Sequence, residues 1–422
     1  MTAGRIAVVH GLGSATLTEI AMAAEGLAEL VFVLGADPRS ADIDGLAAEL
    51  GHVVRLDDGV AVEATHAELS ALDVTGVVTF CDLGIPVAAD IAARLGLPCH
   101  TPTTAAALVD KLRQRRALNA AGVAPVAVAP LDVDNPTAAL RQVGVPAVLK
   151  PRRGAASVNT VLIHGPTELT DTLDRLRAAG VPLRDAFLLE EYLPDGPTAP
   201  GLASYLSVET ACRDGVYLHL AVTDRLPSAS GFRETGASLP ARLAPEPARG
   251  VRDLAEAALR ALGVRHGLTH TEIKLTPAGP RILEVNGRLG GNIHRLITHV
   301  SDTSPIRLAL EVSLGRPDAL VPPTYHGAAG TLFVAPPHDA VRVRFARGRR
   351  ELLTEPGIWA VDDHCADDAP VDLGKGTLAH ARTVWVDAAD HERLRHDLPR
   401  LVRLAADSVA WTREPMPAGS RS

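Results

Sequence analysis

Over its first hundred residues the chain alternates short apolar runs with amphipathic stretches. Arg5–Val9, Leu30–Leu34 and Val77–Phe80 are continuous apolar runs of the kind that forms buried parallel strands. Thr16–Ala28, Ile43–Leu50 and Val87–Leu95 are rich in Ala, Leu and Glu and predict helices between and after them. The alternation predicts a doubly wound α/β domain over residues 1–103. Thr101-Pro-Thr-Thr104 supplies capping residues for a helix Ala105–Leu118, with Asp110-Lys111 inside it. A helix at Asn135–Val143 precedes a strand, loop and strand within Pro146–Ile163, and a further helix is expected at Thr167–Ala179. Phe187–Leu193 reads as a strand carrying two acids, and Tyr205–Cys212 and Val216–Val222 as paired strands around Arg213-Asp-Gly215. Ser228–Arg242 is polar and contains Gly, more like a binding loop than an element, and Glu246–Leu262 is an amphipathic helix. Beyond Val312, Gly and Pro punctuate strands at Thr331–Val334, Val341–Phe345 and Thr383–Val386. Ala389–Trp411 includes a final helix, and the tail from Glu414 is expected to be disordered. There is no internal repeat or low-complexity tract.

The most informative pattern is a hairpin. Thr269–Leu275 and Arg281–Asn286 flank a Pro/Gly turn at Thr276–Pro280. A turn symmetric about Ala278 sets Glu272 directly opposite Glu284. Side chains alternate along a strand, so His270, Glu272, Lys274, Ile282, Glu284 and Asn286 are expected on one face. Ile273, Leu275, Leu283 and Val285 are expected on the core face. Facing carboxylates repel, which makes sense if a cation sits between them. Two carboxylates and an amide oxygen suit Mg²⁺, above all Mg²⁺ already carried by phosphates. A solvated face with scattered polar residues is the plainer alternative, and a one-residue bulge would spoil the pairing.

Composition narrows the class. At 422 residues the length fits two or three domains, and 46% hydrophobic content is ample for large cores. No apolar run is long enough for a transmembrane helix, and the first ten residues read as a strand rather than a signal peptide. A net charge of −8 argues against general nucleic-acid binding. Cys81, Cys99, Cys212 and Cys365 form no CxxC pair, which suggests buried thiols in a reducing, cytoplasmic setting. The only lysines are Lys111, Lys150, Lys274 and Lys375, in a chain that otherwise uses Arg. Lysine retained in such a chain marks positions that need a compact point charge, or survives by chance.

Two loops are candidates for anion binding. Gly11-Leu-Gly-Ser-Ala-Thr16 follows the first strand, but its last position is neither Gly nor Ala. A tight strand-to-helix turn is the stronger reading, and a nicotinamide-dependent dehydrogenase is disfavoured. Lys150 ends a strand, and Arg152–Ser157 is a loop of mostly small residues able to bring backbone N–H groups to an anion. It lacks the Walker order, and an ordinary hairpin with an exposed Arg pair is the alternative.

Taken in order, Lys111, Lys150-Pro151 with its loop, Leu189-Glu-Glu-Tyr-Leu193, Ser207-Val-Glu209 and Glu272…Glu284-Val-Asn-Gly-Arg288 resemble the ATP-grasp fold. Within that superfamily His270-Thr-Glu272 and Glu284-Val-Asn-Gly-Arg-Leu-Gly-Gly291 are most similar to the L-amino-acid ligase branch of carboxylate–amine ligases. The resemblance implies an ATP-grasp domain at residues 104–310, with a lid at about 129–188, and a C-terminal α+β domain at 311–422. It implies that Lys111 and Lys150 contact ATP phosphates, with Ser157 in the nucleotide loop. Glu190 would accept from the adenine amino group, and backbone groups of Glu191 and Leu193 would read the ring edge. Glu209 would face the nucleotide or balance local charge. Glu272, Glu284 and Asn286 would bind Mg²⁺, with Mn²⁺ as a substitute. Arg288 would hold the substrate carboxylate or the transferring phosphoryl group, and Gly290-Gly291 would let backbone approach the acyl phosphate. Gly287 stands where the wider superfamily often has Pro, so the turn into Arg288 is less fixed.

The implied activity joins a small amino-acid-like carboxylate to an amine, with ADP and phosphate as by-products. Arg233 and Glu234 of the polar loop could recognise an amino-acid substrate. The expected partners are small molecules, with a homodimer possible and no nucleic acid or membrane. The alternatives are a carboxylase-like enzyme using bicarbonate and a non-catalytic nucleotide-binding module.

Overall fold

The computed structural model describes residues 4–35, 41–56, 63–316 and 320–413. The expected disorder of the tail from Glu414 therefore lies outside the described residues. The chain divides into two compact units. The first comprises residues 1–126, 207–222 and 243–325, and the second residues 127–206, 223–242 and 326–422.

The first unit begins with a parallel sheet in the order His52–Arg55, Ala28–Leu34, Gly4–His10, Val74–Thr79. Ile6, Ala7, Val8, Phe32 and Val33 are fully buried, as expected of strands that lose both faces to helices. The short strand His52–Arg55 and the helix Glu63–Ala71 were not legible as apolar runs. The Gly11–Thr16 segment is a helix entrance. Thr16 caps the helix Leu17–Ala24 in a reciprocal capping box with Glu19. Ser14 donates its backbone N–H to Phe80 O at 2.8 Å, and a Cβ on Gly13 would come within 2.1 Å of that same oxygen. Gly13 is thus needed for close approach to a neighbouring strand end.

The expected helix Ala105–Leu118 is broken. Pro102–Val109 and Lys111–Ala120 are separate helices because Asp110 leaves helical geometry, at φ −115° and ψ 103°. Its carboxylate accepts from the N–H groups of Leu112 and Arg113 at 3.0 and 3.1 Å. Asp110 is the N-cap of the second helix, which makes Lys111 its first residue.

The acidic hairpin, Gly267–Thr276 with Gly279–Asn286, also lies in the first unit, with Ser207–Arg213 alongside it. Near the turn, Thr276 pairs with Gly279 and Ile273 with Ile282. Continued unchanged, that register would set Glu272 against Leu283. A bulge between Glu272 and Ile273 shifts the pairing by one, so Glu272 faces Glu284 and His270 faces Asn286. The bulge therefore creates the opposition of the two acids that it was expected to spoil. It also corrects the face assignment: Ile282 is fully buried, and Leu283 is only half-buried.

The outer edge of Gly279–Asn286 is closed by two side chains of the helix Lys111–Ala120. Gln114 donates to Val285 O and accepts from Val285 N, both at 2.8 Å, as a neighbouring strand would. Arg115 donates to Ile282 O at 2.7 Å and Leu283 O at 3.0 Å, beside the bulge.

In the second unit an antiparallel sheet runs Val128–Pro130, Phe187–Glu191, Ala147–Pro151, Val161–Ile163. The helices Pro136–Val143 and Pro166–Ala178 pack on it through a core that includes Leu149, Ile163, Leu169 and Leu189. The same unit holds adjacent strands Gly236–Leu239, Ala328–Val334, Arg382–Ala388 and Ile358–Asp363 under the helix His391–Asp407. The expected loop Ser228–Arg242 thus contains a strand, and Val409–Arg413, placed at the end of the final helical segment, pairs instead with Ala340–Phe345. Among the described residues no helix is long and apolar enough to cross a membrane, and all four cysteines are free.

His380 is buried against Phe333 and beside His364, and burial pushes its pKa down to about 4. It stays neutral, with Nδ1 donating to Thr377 O at 2.7 Å and Nε2 accepting from Thr383 Oγ1 at 3.1 Å. A depressed His pKa contributes stability above the unfolded value, and that stability is lost as pH falls through the folded one. Between about pH 6.5 and pH 4 the native chain should lose on the order of 3 kcal/mol from this group. Chemical denaturation across that range should show a shallower loss for His380→Asn; equal slopes would refute the assignment.

Candidate active site

The acidic face of the first unit is organised by Glu272 and Glu284. Two carboxylates about 5 Å apart repel by roughly 3 kcal/mol at an effective dielectric near 20. Lys111 answers this directly, with Nζ 2.8 Å from Glu284 Oε1 and both side chains largely buried. The helix break at Asp110 delivers it there. Glu272 is met by His270 Nε2 at 3.2 Å, and His270 Nδ1 in turn meets Glu209 at 2.5 Å. A carboxylate behind an imidazole fixes the ring and its tautomer, as in the outer shells of metal sites.

Glu209 is the most deeply buried acid of this network. It has 0% exposure, and its oxygens accept from Ser207 Oγ and from Gly290 N–H, both at 3.2 Å. It holds His270 and the chain after Arg288. Gly290 lies against the same pair. Its N–H is already committed to Glu209, and a Cβ there would come within 2.5 Å of His270 Nδ1. Gly290 is small to admit the imidazole. A Cβ on Gly291 would meet nothing within 4 Å, so that position alone leaves open approach to the backbone.

The Arg288 side chain is largely buried and donates to Asp82 Oδ2 at 2.7 Å and to Leu289 O at 2.9 Å. Burial opposes its charge, but Asp82, Glu284 and Glu272 outweigh burial and raise its pKa. The sequence reading missed Asp82. It follows the strand Val74–Thr79, at the carboxyl end of a parallel sheet, where ligands commonly sit, and that position was the available signal. The turn into Arg288 is also better fixed than expected. A Cβ on Gly287 would meet Leu108 Cδ1 at 2.7 Å, and His100 Nε2 lies 3.2 Å from Gly287 O. Burial pushes the His100 pKa down to about 4, so the ring is neutral at pH 7 and Nε2–H is the donor.

The second unit carries the other expected residues. Lys150 Nζ lies 2.5 Å from Glu190 Oε2; Glu190 is buried and the Lys150 side chain largely so. The loop after Lys150 is strained, with Ala156, Ser157 and Asn159 all at φ between +55° and +59°. Ser157 Oγ donates to Phe232 O at 3.0 Å, and Thr377 N–H donates to Ala156 O at 2.8 Å. The Glu191 N–H donates to Ala127 O at 2.9 Å, so that amide is not free to read a ring edge; Leu193 is buried. In the polar loop Glu234 pairs with Arg225 at 3.2 Å, while Arg233 turns back onto Ser230.

Among the described residues no cluster of three His, Cys, Asp or Glu side chains forms a metal site. Glu272, Glu284 and Asn286 nonetheless suit a hard cation, since a lysine ammonium already sits against one of the two facing carboxylates. Lys111→Met should leave those carboxylates opposed and destabilise the chain by about 3 kcal/mol. Added Mg²⁺ should recover more of the melting temperature in this variant than in the wild type. A variant whose melting ignores Mg²⁺ would show that the acids do not hold a cation.

A family model described as an ATP-grasp domain matches residues 143–295. Alanine–anticapsin ligase of Bacillus subtilis (strain 168) is 31% identical over 271 residues, 61% of this chain and 57% of that protein. Carnosine synthase 1 of Mus musculus is 28% identical over 242 residues, 52% of this chain and 28% of that protein. The chain spans about half the length of the alanine–anticapsin ligases it matches. The crystal structure of an L-amino acid ligase from Bacillus licheniformis superposes with a TM-score of 0.75 at 18% identity, covering 98% of this chain and 100% of that one, a likeness of fold. Residues 143–295 thus match an ATP-grasp domain, and the chain resembles the L-amino-acid ligases of the carboxylate–amine ligase branch.

Proposed function

We propose that the protein is an ATP-dependent, ADP-forming carboxylate–amine ligase acting on a small amino-acid-like carboxylate. The observation that carries the reading is the opposition of Glu272 and Glu284, with Asn286 two residues further along the same strand. The similarity to alanine–anticapsin ligase and carnosine synthase supports a ligase on that framework.

On this reading Glu272, Glu284 and Asn286 hold Mg²⁺, which would neutralise the triphosphate. Lys111 and Lys150 serve as phosphate contacts, each kept until then by an acid, Glu284 and Glu190 respectively. A carboxylate does not condense with an amine at neutral pH, because hydroxide or oxide is a poor leaving group. Transfer of the γ-phosphoryl group to one carboxylate oxygen gives an acyl phosphate and ADP. The amine then attacks the acyl carbon, the bond to the phosphate oxygen breaks, and the amine proton is lost to base. Such chemistry is mostly positioning and charge neutralisation. Arg288, oriented by Asp82, is placed to hold the carboxylate or the developing oxyanion. His270 and Glu209 orient Glu272. The open backbone at Gly291 is assigned to the acyl phosphate.

With Mg·ATP, release of ADP and phosphate should require both an amino-acid carboxylate and an amine in a substrate panel. Bicarbonate alone should give none; bicarbonate-dependent ADP release without an amino acid would favour a carboxylase. Lys150→Ala should weaken nucleotide binding, and Lys150→Arg should fail to rescue it, because a forked guanidinium does not replace a point charge beside Glu190. Full activity in the Arg variant would remove Lys150 from the phosphate role.

A further inference from the structure

Asp224 and Arg225 are neighbours on the strand Val216–Arg225, so their side chains point to opposite faces. Arg225 meets Glu234 of the polar loop. Asp224 faces the other way, into a cavity of about 550 Å³ that is lined entirely by the second unit. None of the residues assigned above to metal, phosphate or substrate lines it. Its walls are mostly apolar: Leu332 from the strand Ala328–Val334, and Leu398 and Val402 from the helix His391–Asp407. A volume of this size, apolar with a few convergent polar groups, is that of a small-molecule site.

The polar groups fall into two sets of opposite charge. Asp224, 6% exposed, lies in the wall opposite Ser238 in the strand register. Its carboxylate accepts from the backbone N–H of Arg242 at 2.7 Å. The Arg242 guanidinium is instead directed at Glu392, 3.9 Å away. Burial, only partly offset by Arg242, raises the Asp224 pKa to about 6, as expected of a carboxylate short of a close cation. The second set also lines the cavity. Arg242 and Arg395 share the single, exposed carboxylate of Glu392, from which Arg395 is 3.1 Å away. Two guanidiniums against one carboxylate leave an anion-accepting charge.

We propose that this cavity is a binding site for an α-amino acid with an apolar side chain, separate from the proposed catalytic residues. Asp224 takes the ammonium, Arg242 and Arg395 take the carboxylate, and Leu332 and Leu398 pack on the side chain. Charge order and apolar content together select this class. A fatty acid would leave Asp224 without a counter-charge, and an alkylamine would leave the two arginines with Glu392 alone.

The test is hydrogen exchange on the full chain without nucleotide or Mg²⁺, with L-leucine as the probe. Leucine should protect residues 391–407 saturably. 4-Methylpentanoate, which lacks the ammonium, and 3-methylbutylamine, which lacks the carboxylate, should each bind at least about tenfold more weakly. Val402→Trp, which fills the mouth from a position 40% exposed, and Arg395→Glu, at a surface site, should abolish the protection while their melting stays near wild type. Absence of protection in the wild type would overturn the proposal. So would protection that persists in both variants, equal binding of 4-methylpentanoate, or protection confined to residues 267–286.

Discussion

Two carboxylates held face to face across a hairpin are the constraint on which the first unit depends. Glu272 and Glu284 would repel, and the surrounding residues are arranged to tolerate them. Asp110 breaks a helix so that Lys111 can reach Glu284. Glu209 is buried so that His270 can support Glu272. Arg115 satisfies two carbonyls beside the bulge, and Gln114 closes the strand edge next to them. Without the bulge Glu272 would oppose Leu283, so a one-residue irregularity sets the chemistry of the face.

The charges of the expected site residues are already balanced within each unit of the protein. Lys111 with Glu284, Lys150 with Glu190 and Arg288 with Asp82 are three pairs, all largely removed from water. A buried pair is weak evidence for stability, because desolvation offsets most of the Coulombic gain. Its value here lies in exchange. On the proposed reading, phosphates and a divalent cation together bring charges that can replace each partner without leaving either side bare.

Much of this was legible in the sequence, for a physical reason. Period-two alternation and a short Pro/Gly turn marked the hairpin and its two acids, although the pairing of Glu272 with Glu284 comes from the bulge and not from the turn. The scarcity of lysine drew attention to Lys111 and Lys150, which both reach acids of the expected site. What failed was one-residue detail. The bulge moved Ile282 to the core, and Asp110 ended a helix that composition alone would carry through. The contact of Glu209 with the Gly290 N–H was not legible, because motif order says which residues gather and not which way a side chain turns. Asp82 and His100 were missed because they reach the hairpin from about 200 residues away in sequence, through contacts without local periodicity.

The central claim is that a carboxylate oxygen attacks the γ-phosphate. Isotope transfer tests it most directly. With ¹⁸O in the donor carboxylate and full-length protein turning over Mg·ATP, one label should appear in released phosphate for each amide formed. Label recovered in AMP, with pyrophosphate released, would mean activation through an adenylate and would contradict the account.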